Sequence, residues 1–127
     1  MSTGVILMSR APIPCKTKTR LQTHLSVEEC AKLHNSFLKD ISSMLLEVQK
    51  QREVNLYLAY TPAGTVDMFV DLIPKEFERF LQQGADLGEK MNHALEYVAQ
   101  EDDSQIIIGS DLPTLEPKVL INAIDLL

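Results

Sequence analysis

Apolar residues recur along this chain at two alternating periods, and the alternation predicts its architecture. Val5-Ile6-Leu7-Met8 is an unbroken apolar run, as expected of a strand covered on both faces. Ser26 with Glu29 forms a capping-box signature. Cys30, Leu33, Phe37, Leu38, Ile41, Met44, Leu45 and Val48 then return at helical spacing, with Glu28, Glu29, Lys32, Lys39 and Glu47 on other faces. A long amphipathic helix is predicted over residues 27–49. Val54 to Tyr60 is rich in strand-favouring residues and has no helical period.

Thr61-Pro62-Ala63-Gly64 breaks that strand. Residues 65–73 are expected to form a short helix with Val66, Phe69 and Val70 inward, stopped by Pro74. A brief strand is expected over Glu78 to Leu81, then a turn at Gln83-Gly84-Ala85-Asp86. Asp86 with Glu89 repeats the capping logic, and Leu87, Met91, Ala94, Leu95 and Val98 give the next helix an apolar face. Glu101-Asp102-Asp103 reads as a solvated acidic turn. Ile106-Ile107-Ile108 has the pattern of a strand buried on both faces and leads into Ser110-Asp111-Leu112-Pro113-Thr114. Pro117 suits the first turn of a last helix, with Val119, Leu120, Ala123, Ile124 and Leu127 on its apolar side.

Strands alternating with helices, the first and last strands wholly apolar, predict an α/β fold of right-handed β-α-β units around a parallel sheet. In such sheets ligands bind beyond the carboxyl ends of the strands, where the strand order reverses. If the chain winds outward through three strands and then returns, the fourth strand lies beside the first. The loops after Met8 and after Ile108 then share one crevice. Lys16, Lys18 and Arg20 would enter it from one side and Asp111 from the other.

That juxtaposition suits a nucleoside diphosphate. Its phosphate oxygens need cations, and Mg²⁺ or Mn²⁺ is held by one or two carboxylates plus the phosphates. Other readings stay open. Lys16, Lys18 and Arg20 are also what a solvated surface loop contains, and Asp111 could cap the final helix. Asp86 reads as a helix cap before it reads as a ligand. His24, His34 and His93 are separated in sequence and read as surface or core residues. Ser110 has no nearby histidine, and Gly109-Ser110-Asp111 lacks the glycine spacing of a nucleophile elbow. No Walker-type or dinucleotide glycine pattern follows the first strand, which argues against a P-loop NTPase or an NAD enzyme.

Composition narrows the class. The 127 residues are expected to form a single domain. A hydrophobic fraction of 45% with 24% charged residues is ordinary for a globular protein. The net charge of −6 argues against a general nucleic-acid or membrane-surface binder and makes the cations at 16–20 a local exception. Cys15 and Cys30 are too few for a disulfide scaffold, and Cys30 falls at an apolar helical position. No apolar stretch approaches the roughly 20 residues of a membrane span, and the amino terminus has no signal-peptide pattern. The expected location is the cytoplasm.

Four segments resemble the bacterial glycosyltransferase-like family of the GT-A nucleotide-diphospho-sugar transferase superfamily, some members of which serve arsenosugar biosynthesis. They are APIPCKTKTRL at 11–21, LSVEECAKLHNSFLKD at 25–40, QGADLGEKM at 83–91 and IIIGSDLPTL at 106–115. The resemblance implies a Rossmann-like three-layer α/β/α fold with a mainly parallel sheet. It further implies that Lys16, Lys18 and Arg20 contact the diphosphate, with Lys16, Arg20 and Asp111 in the catalytic role and Asp111 holding the metal. Gln83, Gly84 and Gly88 are similar to the segment that meets base or ribose in related nucleotidyltransferases. Cys15 departs from the family's usual glycine, adding a side chain where backbone meets phosphate or φ is positive. Family members also continue into an acceptor segment, so the chain reads as the nucleotide-binding part of a larger domain, without its C-terminal acceptor half. The uncovered surface this would leave predicts a homo-oligomer.

The expected function is therefore binding of a nucleotide-activated donor, a nucleoside diphosphate sugar or nucleoside triphosphate, for metal-dependent glycosyl or nucleotidyl transfer. Its competitors are a non-catalytic nucleotide-binding or oligomeric interaction module and a structural remnant without a ligand.

Overall fold

The first apolar run folds as an interior strand of a parallel sheet. The structure, a computed structural model, describes residues 2–11, 27–109 and 117–126. Its elements are β1 (Thr3–Arg10), α1 (Val27–Gln51), β2 (Val54–Thr61), a 3₁₀ turn (Val66–Phe69), β3 (Glu78–Leu81), α2 (Leu87–Ala99), β4 (Ser104–Gly109) and α3 (Pro117–Asp125). Among the described residues the strands pair in the order β3-β2-β1-β4, all parallel. Thr3 aligns with Val54 on one side and Ser104 on the other, so β1, β2 and β4 start in one row. The fourth strand does lie beside the first, as expected of a chain that winds out and returns.

Strand alternation divides the core into two layers. Val5 and Leu7 from β1, Leu56 and Leu58 from β2, and Ile108 from β4 pack with Leu38, Ile41, Leu45 and Val48 of α1. Ile121 and Ile124 of α3 border the same layer. Ile6, Met8, Tyr57, Ala59 and Phe80 face the other way, onto Ala94 and Val98 of α2. The sheet is thus covered by α1 and α3 on one face and by α2 on the other, a three-layer α/β/α arrangement. Val5, Ile6 and Leu7 are fully buried, each contributing about 1.5–3 kcal/mol of transfer free energy. Arg52, just past α1, forms a two-point ion pair with Asp125 of α3 at 2.8 and 2.9 Å, joining the two helices of one face.

Several local expectations are corrected. Asp102 is not solvated but 2% exposed, because the turn after α2 folds beneath the starts of the strands. Val70 is 63% exposed: the expected helix is only the 3₁₀ turn Val66–Phe69, so Phe69 and Ile73 turn inward and Val70 turns out. Leu87 and Met91 lie on the expected apolar face of α2 yet are exposed, the buried residues of this helix being Ala94 and Val98 nearer its carboxyl end. Ile106 and Ile107 are only partly buried, because β4 pairs with β1 alone among the described strands. The brief strand over Glu78–Leu81 stands as expected. No helix among the described residues is long and apolar enough to cross a membrane.

Candidate functional site at the carboxyl edge of the sheet

β4 runs beside β1 to its own carboxyl end, where Gly109 aligns with Met8, and β1 continues to Arg10. β2 and β3 lie on the other side of β1, so the winding direction reverses between β1 and β4. With α1 on one face and α2 on the other, this is the position at which an open α/β sheet leaves a crevice.

The exit of β1 is held by side chains from elsewhere in the fold. His34 of α1 is 2% exposed, and its Nε2 lies 2.9 Å from the Arg10 carbonyl. A carbonyl oxygen only accepts, so Nε2 carries the proton of this bond. Ser9 Oγ donates to the same carbonyl at 2.9 Å and sits 3.4 Å from Nε2. The following amide, Ala11 N–H, donates to Thr61 O at 2.8 Å. The Arg10–Ala11 peptide is therefore bonded through both its oxygen and its nitrogen.

Gln82 reaches across the same edge from the end of β3. Its amide N–H donates to Tyr60 O at 2.8 Å, and its side-chain Nε2 donates to Ala59 O at 2.8 Å and Ser9 O at 3.4 Å. One residue thus ties the loop after β3 to the ends of β2 and β1.

The turn that follows contains Gln83, Gly84 and Gly88, all exposed. Gly84 adopts φ +142°, and a Cβ there would come within 2.7 Å of Glu89 Cβ and 2.8 Å of Lys90 N, so glycine is required. Asp86 caps α2 by accepting from Glu89 N–H at 2.8 Å, while Glu89 Oε2 accepts from Ala85 N–H at 2.7 Å. This is the anticipated capping box, shifted by one amide. A Cβ at Gly88 would make only ordinary contact, 3.4 Å from Asp86 Oδ1, and one at Gly109 would meet nothing within 4 Å.

Lys16, Lys18, Arg20 and Asp111 lie outside the described residues, as do Cys15, His24 and the Cys30 side chain. Among the described residues no group of three or more His, Cys, Asp or Glu could hold a metal ion. The two carboxylates of the turn, Asp86 and Glu89, are occupied by backbone amides. Sequence reasoning did not single out Arg10, His34 or Gln82 at this edge. The parity of Arg10 with Met8 was a usable signal for Arg10, but nothing local announces a glutamine that spans two strands.

A second polar cluster occupies the opposite, amino edge. Asp102 accepts from Asn55 Nδ2 and Tyr57 OH, each at 2.6 Å. Burial pushes the Asp102 carboxyl up, but hydrogen bonds from Tyr57, Ser2 and Asn55 outweigh it and hold it below the ordinary carboxylate value. Burial, followed by the bond to Asp102, raises the Tyr57 hydroxyl above its ordinary value. Gln105 Nε2 donates to the Asp102 carbonyl at 2.8 Å. The cluster joins the starts of β1, β2 and β4 and is satisfied within the fold, which makes it an anchor.

Residues 44–127, more than half of the chain, match a family described as an uncharacterized protein conserved in bacteria (DUF2064). The fold is similar to a crystal structure from Desulfovibrio desulfuricans G20, of a protein provisionally described as a nucleotide-diphospho-sugar transferase. The TM-score is 0.81 at 27% identity, over 98% of this chain and 54% of that one. The chain thus spans about half the length of that relative. A comparison with curated proteins returned no match.

Proposed function

Because the chain belongs to the bacterial family DUF2064 and shares the nucleotide-diphospho-sugar transferase fold, we propose that it binds a nucleotide-activated donor at the carboxyl edge of its sheet. The donor is a nucleoside diphosphate sugar or a nucleoside triphosphate, and the reaction served is glycosyl or nucleotidyl transfer. The observation that carries this reading is the pairing of β1 with β4 at the point where the strand order reverses. The segment bearing Lys16, Lys18 and Arg20 follows β1, and Asp111 follows Gly109 by two residues. In sequence, then, the cations and the carboxylate follow two strands that neighbour one another in the sheet, an order that suits a diphosphate with its metal. The resemblance of residues 11–21, 25–40, 83–91 and 106–115 to the arsenosugar-type family favours a sugar donor within this class.

Mg²⁺ or Mn²⁺ would depend on Asp111 and the donor's own phosphates, since the described residues offer no donor set of their own. When bound, the ion would supply charge for the leaving phosphate. The cationic side chains would bind and orient the diphosphate, and Gln83, Gly84 and Gly88 would face the base or ribose. The exposed parts of Ile106 and Ile107 on β4 favour association of the chain into a homo-oligomer, which light scattering on the purified protein would test.

Titration calorimetry with UDP-, GDP- and CDP-sugars and the nucleoside triphosphates, with and without Mg²⁺ or Mn²⁺, tests the reading. Metal-dependent binding of one base class is expected, lost in Asp111→Ala and weakened about tenfold or more in Lys16→Ala. Absence of binding by the whole panel would sink it. A second reading is donor binding without turnover. Pyrophosphate release or glycosyl transfer by the purified chain would exclude that version.

A further inference from the structure

Arg10 is the one exposed residue of an otherwise buried β1. Val5 and Leu7 face α1, whereas Ile6 and Met8 face α2. The alternation continues at the strand end, where Ser9 turns to His34 of α1. Arg10 therefore projects on the α2 side of the carboxyl edge, two residues beyond the level at which β4 ends and opposite Thr61 of β2. It makes no ion pair with a described residue.

Burying a histidine and a serine costs desolvation that hydrogen bonds must offset. Here both groups serve one backbone carbonyl, that of Arg10, which water could have solvated at a strand end. With Ala11 N–H bound to Thr61 O as well, the backbone that carries the arginine is fixed on both sides. The anchored backbone fixes the point from which the exposed guanidinium reaches this edge, and a planar guanidinium suits two-point contact with phosphate oxygens. We infer that Arg10 is a further phosphate-binding residue of the carboxyl edge and that His34 is the residue that positions it. This rests on the nucleotide-binding reading above, and it concerns a diphosphate.

The test is titration calorimetry of the whole chain with UDP, GDP and CDP in saturating Mg²⁺. Arg10→Ala is expected to weaken the nucleotide the wild type binds best by about tenfold, and Arg10→Lys to recover only part of it. His34→Leu is expected to weaken it comparably. His34→Gln, which keeps an N–H donor near the Nε2 position, should restore affinity to within about threefold of the wild type. If His34 acts through Arg10, the double variant Arg10→Ala/His34→Leu binds no more weakly than Arg10→Ala alone. Wild-type affinity in Arg10→Ala overturns the assignment. So do additive losses in the double variant, or a His34→Gln protein as weak as His34→Leu, which would mark His34 as structural only. Should His34→Leu fail to fold, Arg10→Ala and His34→Gln still decide the matter. A wild type that binds none of the probes overturns the nucleotide reading itself, whereas normal wild-type binding with an unaffected Arg10→Ala overturns only this inference.

Discussion

Tyr57 donates its phenolic hydroxyl to Asp102 Oδ2 at 2.6 Å, joining the middle of β2 to the turn that closes α2. Both residues are nearly inaccessible to water, Tyr57 at 3% and Asp102 at 2% exposure. Removing the hydroxyl leaves a buried charged acceptor one donor short. Tyr57→Phe should therefore lower unfolding free energy by about 1–3 kcal/mol in urea titrations at pH 7.

The same pair predicts a pH dependence. The Asp102 carboxyl titrates below its ordinary value of 3.8 in the folded protein, so on acidification the unfolded chain takes up this proton first. Its contribution is complete above the unfolded value and is lost as pH falls through the folded one. Tyr57 has the opposite sign: its raised value means a contribution present below pH 10.0 and lost as pH climbs above it. Asp125, lowered by its hydrogen bond from Arg52, shares the acid limb. The difference between wild type and Tyr57→Phe as pH falls below 3.8 should isolate the part of the Asp102 contribution that this bond supplies, with the variant losing less stability on acidification. Parallel curves would refute the coupling.

Gly4 sits where this anchor meets the core. A Cβ there would collide with Val98 Cγ1 and lie 3.0 Å from Asp102 Oδ2 and 3.2 Å from Tyr57 Cε2. Gly4→Ala should cost about 1–3 kcal/mol through overpacking, read as a lower denaturant midpoint at unchanged slope.

The glycines of the β3–α2 turn separate structure from binding. Gly84→Ala forces an alanine to φ +142° and into the backbone of Glu89 and Lys90, and should destabilise by more than about 1 kcal/mol. Gly88→Ala meets only an ordinary contact and should leave stability unchanged or raise it by about 0.5 kcal/mol. A nucleotide affinity that drops in Gly88→Ala while thermal unfolding holds would point to a ligand against that backbone; unchanged affinity would remove Gly88 from the site.

Asp86 is assigned as a cap by its bond to Glu89 N–H. Asp86→Ala should lose about 1 kcal/mol, and Asp86→Asn or Asp86→Ser should keep most of it. Metal dependence of nucleotide binding should be the same in all three. A selective loss of metal response in Asp86→Asn would show the carboxylate to be a ligand after all.

What could be read from sequence at the site was limited to segments whose chemistry is local. The β3–α2 turn was legible because Asp86 and Glu89 bond amides within a few residues of themselves and Gly84 supplies the positive φ beside them. The clamp on the Arg10–Ala11 peptide was not, since His34 and Thr61 reach it from distant parts of the chain, as Gln82 reaches the neighbouring Ser9 carbonyl. Asp102 was misread for the same reason: between Glu101 and Asp103 it looks solvated, and its donors Asn55 and Tyr57 lie on another strand.

The sequence by itself determined the element order, the parallel β-α-β alternation and most of the core, because periodicity and capping are properties of neighbouring residues. It also located the apolar face of α1, where Leu38, Ile41, Leu45 and Val48 are buried as their spacing requires. Only the tertiary structure decided which apolar residues stay exposed, as with Val70, Leu87 and Met91. It alone revealed that His34 and Gln82 meet the end of β1. Burial and long-range hydrogen bonds depend on how layers and strand ends overlap in space, and a one-dimensional pattern carries the period of a residue but not the partner that covers it.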